Sequence, residues 1–323
     1  MDFNIIKYIL IFIILFVLEL LYFRLANRYN IIDRPNERSS HTQITLRGGG
    51  IIFYLSVVIF FVFSNLTYPY FFAGLTLISL VSFADDLRPQ SQILRLFVHL
   101  AAMLLLFAQW NLFELHWFYA PIALVLCIGI INAYNFMDGI NGITGFYSIV
   151  VLAALWYVNN FITIEFVQNS LIYCVCLSLA VFGFFNFRKK SKCFAGDVGA
   201  ISMAFTVIFI LGILIFKTHK FSYIMLLAVY GVDAILTIIR RIILKENIFQ
   251  PHRMHLYQIL ANEKKKPHLL ISAVYACLQA IIFIGLIMFS NQAFLYSATV
   301  IFLLSIIYII LIKKYSENKI VVP

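Results

Sequence analysis

Charge is what this chain has least of: Asp and Glu together number 14 among 323 residues, and charged residues of both signs make up only 12%. Soluble domains carry roughly twice that fraction, so with 63% hydrophobic residues an ordinary soluble fold is excluded. Five cysteines, Cys127, Cys174, Cys176, Cys193 and Cys277, lie mostly inside apolar runs and show no ligand spacing. They read as small apolar residues or a free thiol, which excludes a disulfide framework and a zinc site. Internal repeats, low-complexity tracts and long polar segments are also missing, so residues 1–323 are expected to form a single integral-membrane domain.

Long apolar runs are what the chain has instead. A helix needs about 20 mostly apolar residues to cross a bilayer, and eleven runs approach that length: 4–23, 48–65, 68–84, 92–110, 118–136, 142–159, 168–187, 198–216, 221–239, 269–289 and 293–312. The expected fold is therefore all-α, a polytopic membrane protein of about 11 transmembrane helices. Basic residues follow the first run and no small-residue cleavage site is visible, so that run reads as a retained helix and not a signal peptide. Of the 24 Lys and Arg residues, all but Lys7, Lys217 and Lys220 fall on alternate connections. By the positive-inside rule this places the N-terminus out and the C-terminus in. The +10 net charge is then explained by residues bordering anionic lipid, with no nucleic acid needed as a partner.

This topology sorts the polar residues by side. The outer connections are short and plain, whereas the inner ones hold Asp85, Asp86, Asn132, Asn135, Asp138, Asn141, Asp197, His252, Arg253 and His255. FADDLRPQS ends a run with two adjacent carboxylates, which suits Mg²⁺ binding or a raised pKa, or else a hydrated loop stopped by Pro89. FAGDVGA sets Asp197 at a helix start, where it serves an anion or metal site or simply caps the helix. In PHRMH, Arg253 offers a planar fork and His252 and His255 can exchange protons, although juxtamembrane histidines are often merely solvated. The first inner loop carries Arg38, His41, Arg47 and the triplet Gly48 to Gly50, which read either as a phosphate cradle or as a flexible lead-in to the next helix. Glu19 and Asp233, inside runs, read as structural, with Asp233 wetted or paired with Arg240 or Arg241.

Each of these motifs has a bland reading, yet all fall on one side of a topology set by Lys and Arg alone. Asp, Asn, His and Arg around Mg²⁺ at a membrane face suit phosphoryl transfer, in which a metal and cations neutralise charge while the reactants are aligned. The ordered set FADD, NAYNFMDGINGITG, FAGDVGA and PHRMH resembles the polyprenyl-phosphate N-acetylhexosamine-1-phosphate transferases, glycosyltransferase family 4, over essentially the whole chain. The most specific piece is Asn132 to Gly142.

That resemblance implies a cytoplasmic active site in a bacterial inner (plasma) membrane. There undecaprenyl phosphate attacks the β-phosphorus of a UDP-N-acetylhexosamine, releasing UMP and starting O-antigen or related polysaccharide synthesis. It implies Asp197 and Asn135 as ligands of Mg²⁺, with Mn²⁺ as a substitute, and Asp85 and Asp86 on the lipid phosphate. Asp138, Asn132, Asn141 and His252 would shape the nucleotide and metal site, while Arg253 and His255 hold the diphosphate. A homodimer stays open. The chain departs from the family pattern in keeping only the first residue of a His-x-His-His cluster, and in having His252 and Asn141 where many members have Asp. The R-S-S-H and R-G-G-G variants look closer to members that handle 6-deoxy-N-acetylhexosamines. Two rivals remain. A transporter or flippase of lipid-linked sugars expects acids at mid-membrane and paired broken helices, and a CDP-alcohol phosphotransferase needs a D-G…A-R…G…D-x-x-x-D pattern that is not present.

Overall fold

In a computed structural model, which describes residues 3–35, 40, 43–248, 250 and 252–315, the chain is a bundle of helices with one pair of two-residue strands. The order is α1 (Phe3–Arg28), β1 (Ile32–Asp33), β2 (Thr45–Leu46), α2 (Ile51–Phe63), α3 (Pro69–Leu87), α4 (Gln92–Gln109), α5 (Tyr119–Met137), α6 (Ile143–Tyr157), α7 (Asn169–Asn186), α8 (Gly196–Thr218), α9 (Ala228–Ile243), α10 (Leu256–Asn262), α11 (His268–Met288) and α12 (Ala293–Tyr315). Ten helical segments among the described residues are long and apolar enough to cross a membrane. The chain is thus a polytopic membrane protein. The predicted run at 48–65 is the exception, because its helix α2 has 13 residues and reaches only about 20 Å. The predicted run at 221–239 begins as a 3₁₀ segment, Phe221–Leu227, before α9.

Burial explains the layering. Helix α8 is apolar on every face and almost wholly enclosed, packing against α2, α3, α5 and α6; a helix without a polar face belongs at the centre of a bundle. Helix α12 is equally apolar but exposes Phe294, Leu295, Phe302 and Ile310, an outward apolar surface of the kind that faces lipid. The break between the 3₁₀ segment and α9 leaves backbone groups unpaired in the interior. Gln279 of α11 satisfies them, donating to Met225 O at 2.8 Å and accepting from Val229 N–H at 3.2 Å and from the Tyr147 hydroxyl at 2.7 Å. Unpaired, such groups would cost several kcal/mol each in hydrocarbon.

The glycine triplet turns out to be neither a flexible lead-in nor a free cradle. Phe194 N–H donates to Leu46 O at 2.8 Å, Gly49 N–H to Phe194 O at 2.9 Å and Gly50 N–H to Ala195 O at 3.0 Å. This short zipper docks the start of α2 on the start of α8. At Gly50 a Cβ would collide with Gly199 Cα and the Ala195 carbonyl, so backbones this close require glycine. Gly50→Ala is expected to lower the thermal midpoint by several degrees in detergent, whereas Gly129→Ala, whose Cβ would meet nothing within 4 Å, should leave it unchanged or slightly raised. Equal melting of the two variants would remove the docking argument.

Candidate active site

One end of the bundle gathers the ends of helices far apart in sequence: α1, α3, α5 and α7 finish there and α2, α6, α8 and α11 begin. A cavity of about 270 Å³ opens at that end, lined by Arg47, Asn135, Asp138, Asn141, Asn186 and Asp197 among others. Of the ten predicted site residues, Asn135, Asp138, Asn141 and Asp197 line this cavity. Asp85 and Asp86 lie behind its wall, while Asn132, His252, Arg253 and His255 are not among its lining residues. Arg38 and His41 fall outside the described residues.

The two carboxylates of FADD do different things. Both Asp86 oxygens are engaged: Oδ1 accepts from Arg47 Nε at 2.6 Å and from Asp197 N–H at 2.9 Å, and Oδ2 accepts from Val198 N–H at 3.0 Å. A helix start has unpaired N–H groups and a positive dipole end, so the buried Asp86, supplied by α3, is the N-terminal cap of α8. It can approach because residue 196 is glycine at φ +72, where a Cβ would lie 2.6 Å from Asp86 Oδ2. Asp85 accepts from Gln90 N–H at 2.6 Å, pairs with Arg95 at 3.2 Å and shares a hydrogen bond with the Asp197 carboxyl. Because Asp86 caps α8, the Asp197 side chain is released from capping. It turns toward Arg47, with Nη2 3.6 Å from its Oδ1, and stays partly exposed to the cavity.

On α5 and its exit, Asp138 accepts the Thr144 hydroxyl at 2.5 Å. Burial pushes its carboxyl up to about 6, against the pull of that hydrogen bond. Asn141 has a structural task besides lining the cavity. Its Nδ2 donates to Arg188 O at 2.9 Å and Lys189 O at 3.3 Å, pinning the basic loop after α7. An amide can donate there and a carboxylate cannot, which gives a physical reason for Asn over Asp at this position. Asn186 completes the junction by accepting from Gly142 N–H at 2.8 Å and donating to Cys193 O at 2.8 Å.

The loop after α9 is built on buried polar anchors. Arg241 donates to Ile248 O at 3.1 Å and Gln250 O at 3.2 Å. Asp233 is not paired with Arg240 or Arg241 in any hydrogen bond seen among the described residues; it accepts from Tyr275 at 2.7 Å, Leu256 N–H at 3.0 Å and Thr237 at 3.2 Å, with His255 Nδ1 at 3.3 Å. His255, only 1% exposed, caps α10, so its first duty is to hold this loop. Burial, with the nearby His255 and Arg241 charges, pushes His252 down to about 4, leaving a neutral imidazole. Arg253 is exposed. Tyr257 locks α10 to α5 by donating to Phe136 O at 2.7 Å.

Comparison with known proteins bears on this constellation. The sequence profile described as glycosyl transferase family 4 matches residues 68–216, the stretch that holds Asp85, Asp86, the Asn132 to Gly142 motif and Asp197. Over that stretch the chain is similar to glycosyl transferase family 4. It is 24% identical over 315 residues to a probable undecaprenyl-phosphate N-acetylglucosaminyl 1-phosphate transferase of Bacillus subtilis (strain 168), covering 90% of this chain and 84% of that one. It is 26% identical over 287 residues to the undecaprenyl-phosphate alpha-N-acetylglucosaminyl 1-phosphate transferase of Escherichia coli (strain K12), covering 78% and 75%. A protein of the same description from Yersinia pestis matches at 26% over 284 residues.

The residues not singled out from sequence are Asn186, Tyr257 and Gln258, with Arg47 underweighted. The R-G-G-G string was the available signal for Arg47. For Tyr257 and Gln258 the departure from the His-x-His-His cluster was the available signal, whereas Asn186 had none, since an Asn at a helix end carries no local pattern. Two outcomes follow. Asn141→Asp would set a carboxylate against two carbonyl oxygens, so a loss of about 1–3 kcal/mol is expected, seen as a lower melting midpoint and faster proteolysis at 188–192. Between about pH 4 and pH 6 the folded protein keeps a proton on Asp138 that the unfolded chain has released. Stability from this group therefore falls as pH rises through that window, and melting curves of Asp138→Asn should lack this part of the decline.

Proposed function

We propose that this chain transfers N-acetylhexosamine 1-phosphate from a UDP-sugar to undecaprenyl phosphate. An oxygen of the lipid phosphate forms a bond to the β-phosphorus, the bond from that phosphorus to the bridging oxygen breaks, and UMP leaves with the electron pair. The observation that carries this reading is the meeting of Asp197, Asn135, Asp138 and Arg47 on one cavity at the end of an apolar bundle. There a nucleotide from water and a phosphate on a lipid can reach each other, and the names of the family 4 relatives point to the same chemistry. A flippase would place working acids at mid-membrane, but buried Glu19 and Asp233 are engaged with Cys193 and with the α10 cap instead.

Mg²⁺ would suit the donor set, with Mn²⁺ as a substitute. No group of three or more His, Cys, Asp or Glu among the described residues is arranged to hold a metal. However, Mg²⁺ commonly takes one or two carboxylates and completes its shell with substrate phosphates and water. Asp85 and Asp197 lie beside one another among further acids, where a cation would offset like charge. Asp197 and Asn135 would hold the ion, which when bound draws charge from the diphosphate. The lipid phosphate is already anionic at neutral pH, so Asp85 is assigned to positioning and not to proton removal, and Asp138 to shaping the nucleotide side of the cavity.

The topology belongs to the same proposal. The cavity end carries most of the Lys and Arg residues, which supports a cytoplasmic-face site in a bacterial inner membrane, with the N-terminus out and the C-terminus in. The full chain forms one catalytic domain serving O-antigen or related envelope polysaccharide synthesis. The test is UMP release by purified protein given Mg²⁺, undecaprenyl phosphate and UDP-GlcNAc alongside UDP-linked 6-deoxy-N-acetylhexosamines. Release with at least one donor is expected, and release with none would end the transferase reading. Asp197→Asn should retain its melting midpoint and lose about 100-fold or more in rate; a near-normal rate would remove the metal assignment.

A further inference from the structure

We propose that Arg47 is the residue that grips a phosphate of the reactants, and that Asp86 is its positioning residue and neither an acid nor a base. The inference rests on the transferase reading and deepens it. Among the described residues Arg47 is the sole Lys or Arg lining the cavity. Its backbone is fixed on both sides, the N–H donating to Ile31 O at 3.1 Å and the carbonyl accepting from the Tyr22 hydroxyl at 2.5 Å. Just before it lies the β1–β2 pair, and just after it the glycine zipper that docks on Phe194 and Ala195. A cation on such a frame cannot swing away.

The side chain is aimed with equal care. Nε donates to Asp86 Oδ1 at 2.6 Å, and Asp86 is itself immobilised by two backbone N–H groups of α8. Nη2 stands 3.6 Å from Asp197, close enough for attraction but beyond hydrogen-bond range. No other hydrogen bond to the guanidinium is formed among the described residues, and the side chain is 35% exposed. One edge of the planar group is therefore anchored, while the Nη edge keeps donors for an incoming anion. A guanidinium matches phosphate oxygens in this forked manner, which an ammonium cannot do. Asp33, Asp86 and Asp197 surround Arg47, so it is the group that lets an anion approach an otherwise acidic wall. The shared chemistry is a phosphoryl oxygen pair, supplied either by the nucleotide diphosphate or by the lipid phosphate.

The test uses the full chain purified in detergent with Mg²⁺, and measures binding of UDP, uridine and a short-chain polyprenyl phosphate. Arg47→Gln is expected to weaken one phosphate ligand about tenfold or more while leaving uridine unchanged. Weakened UDP places the donor on Arg47, weakened polyprenyl phosphate places the acceptor there, and unchanged binding of both overturns the inference. Arg47→Lys should recover only part of the loss. A second measurement needs no variant: modification of Arg47 in the wild-type chain by phenylglyoxal, read by mass spectrometry, should slow several-fold under saturating phosphate ligand and not under uridine. Absence of protection overturns the inference even where the variants misfold. Asp86→Asn should weaken the same ligand and speed phenylglyoxal modification of Arg47, a reactivity change that a purely structural Asp86 would not produce. Wild-type protein that binds neither UDP nor polyprenyl phosphate would instead sink the transferase reading.

Discussion

The cap that Asp86 places on α8 is the contact on which the site depends. Helix α8 is the central, most enclosed element of the bundle, and the N–H groups at its start need a partner. A carboxylate from another helix meets that need, and the helix dipole lowers the cost of burying its charge. Because the cap comes from α3, the relation between two separate spans is set at the depth where the chemistry is proposed. Arg47 completes the arrangement by offsetting the same carboxylate, which ties in the loop ahead of α2. Three elements that never meet in sequence are thereby held around one oxygen pair.

This contact explains why Asp197 is available. An Asp near the start of a helix commonly turns back to cap its own N–H groups. Here those groups are already taken, so the Asp197 carboxyl faces the cavity, Arg47 and Asp85. The adjacent acids of FADD thus divide the work, Asp86 building the wall and Asp85 bordering the working carboxylate. Gly196 is what permits the division, since any side chain at that position would strike Asp86.

Much of this was legible in the sequence, and the part that was not has a common cause. Hydropathy located the spans because burial in lipid demands long apolar runs, and Lys and Arg placement grouped the acids on one end. Those grounds put Asp138, Asn135 and Asp197 on one face, and the family resemblance singled them out from the other polar residues there. What sequence could not show was which polar group pairs with which: Asp86 meets Val198 across 112 positions and Tyr257 meets Phe136 across 121. Adjacent acids look equivalent in a string, and only tertiary packing separates a cap from a ligand. Likewise α2 begins later than its predicted run because Gly49 and Gly50 donate to Phe194 and Ala195 in the zipper to α8 and not within a helix.

The remaining question is how an acidic cavity admits an anionic substrate. Asp33, Asp138 and Asp197 line it, Asp86 lies just behind, and Arg47 is the fixed cation that opposes them. Two features of this chain reduce the imbalance. Asn141 commits its amide to the Arg188 and Lys189 carbonyls and adds no negative charge. Asp138, with its carboxyl pushed up to about 6, sheds part of its charge in mildly acidic conditions. The net field at the cavity then turns on Asp197, Asp85 and Arg47, and each has a named partner that fixes its direction. Arg47, with Nη2 3.6 Å from Asp197, is the protein's own cation beside that pair. On this account binding and reactivity are controlled by charge placement at the bundle end, and the apolar bulk of the molecule serves to hold that placement at the membrane surface.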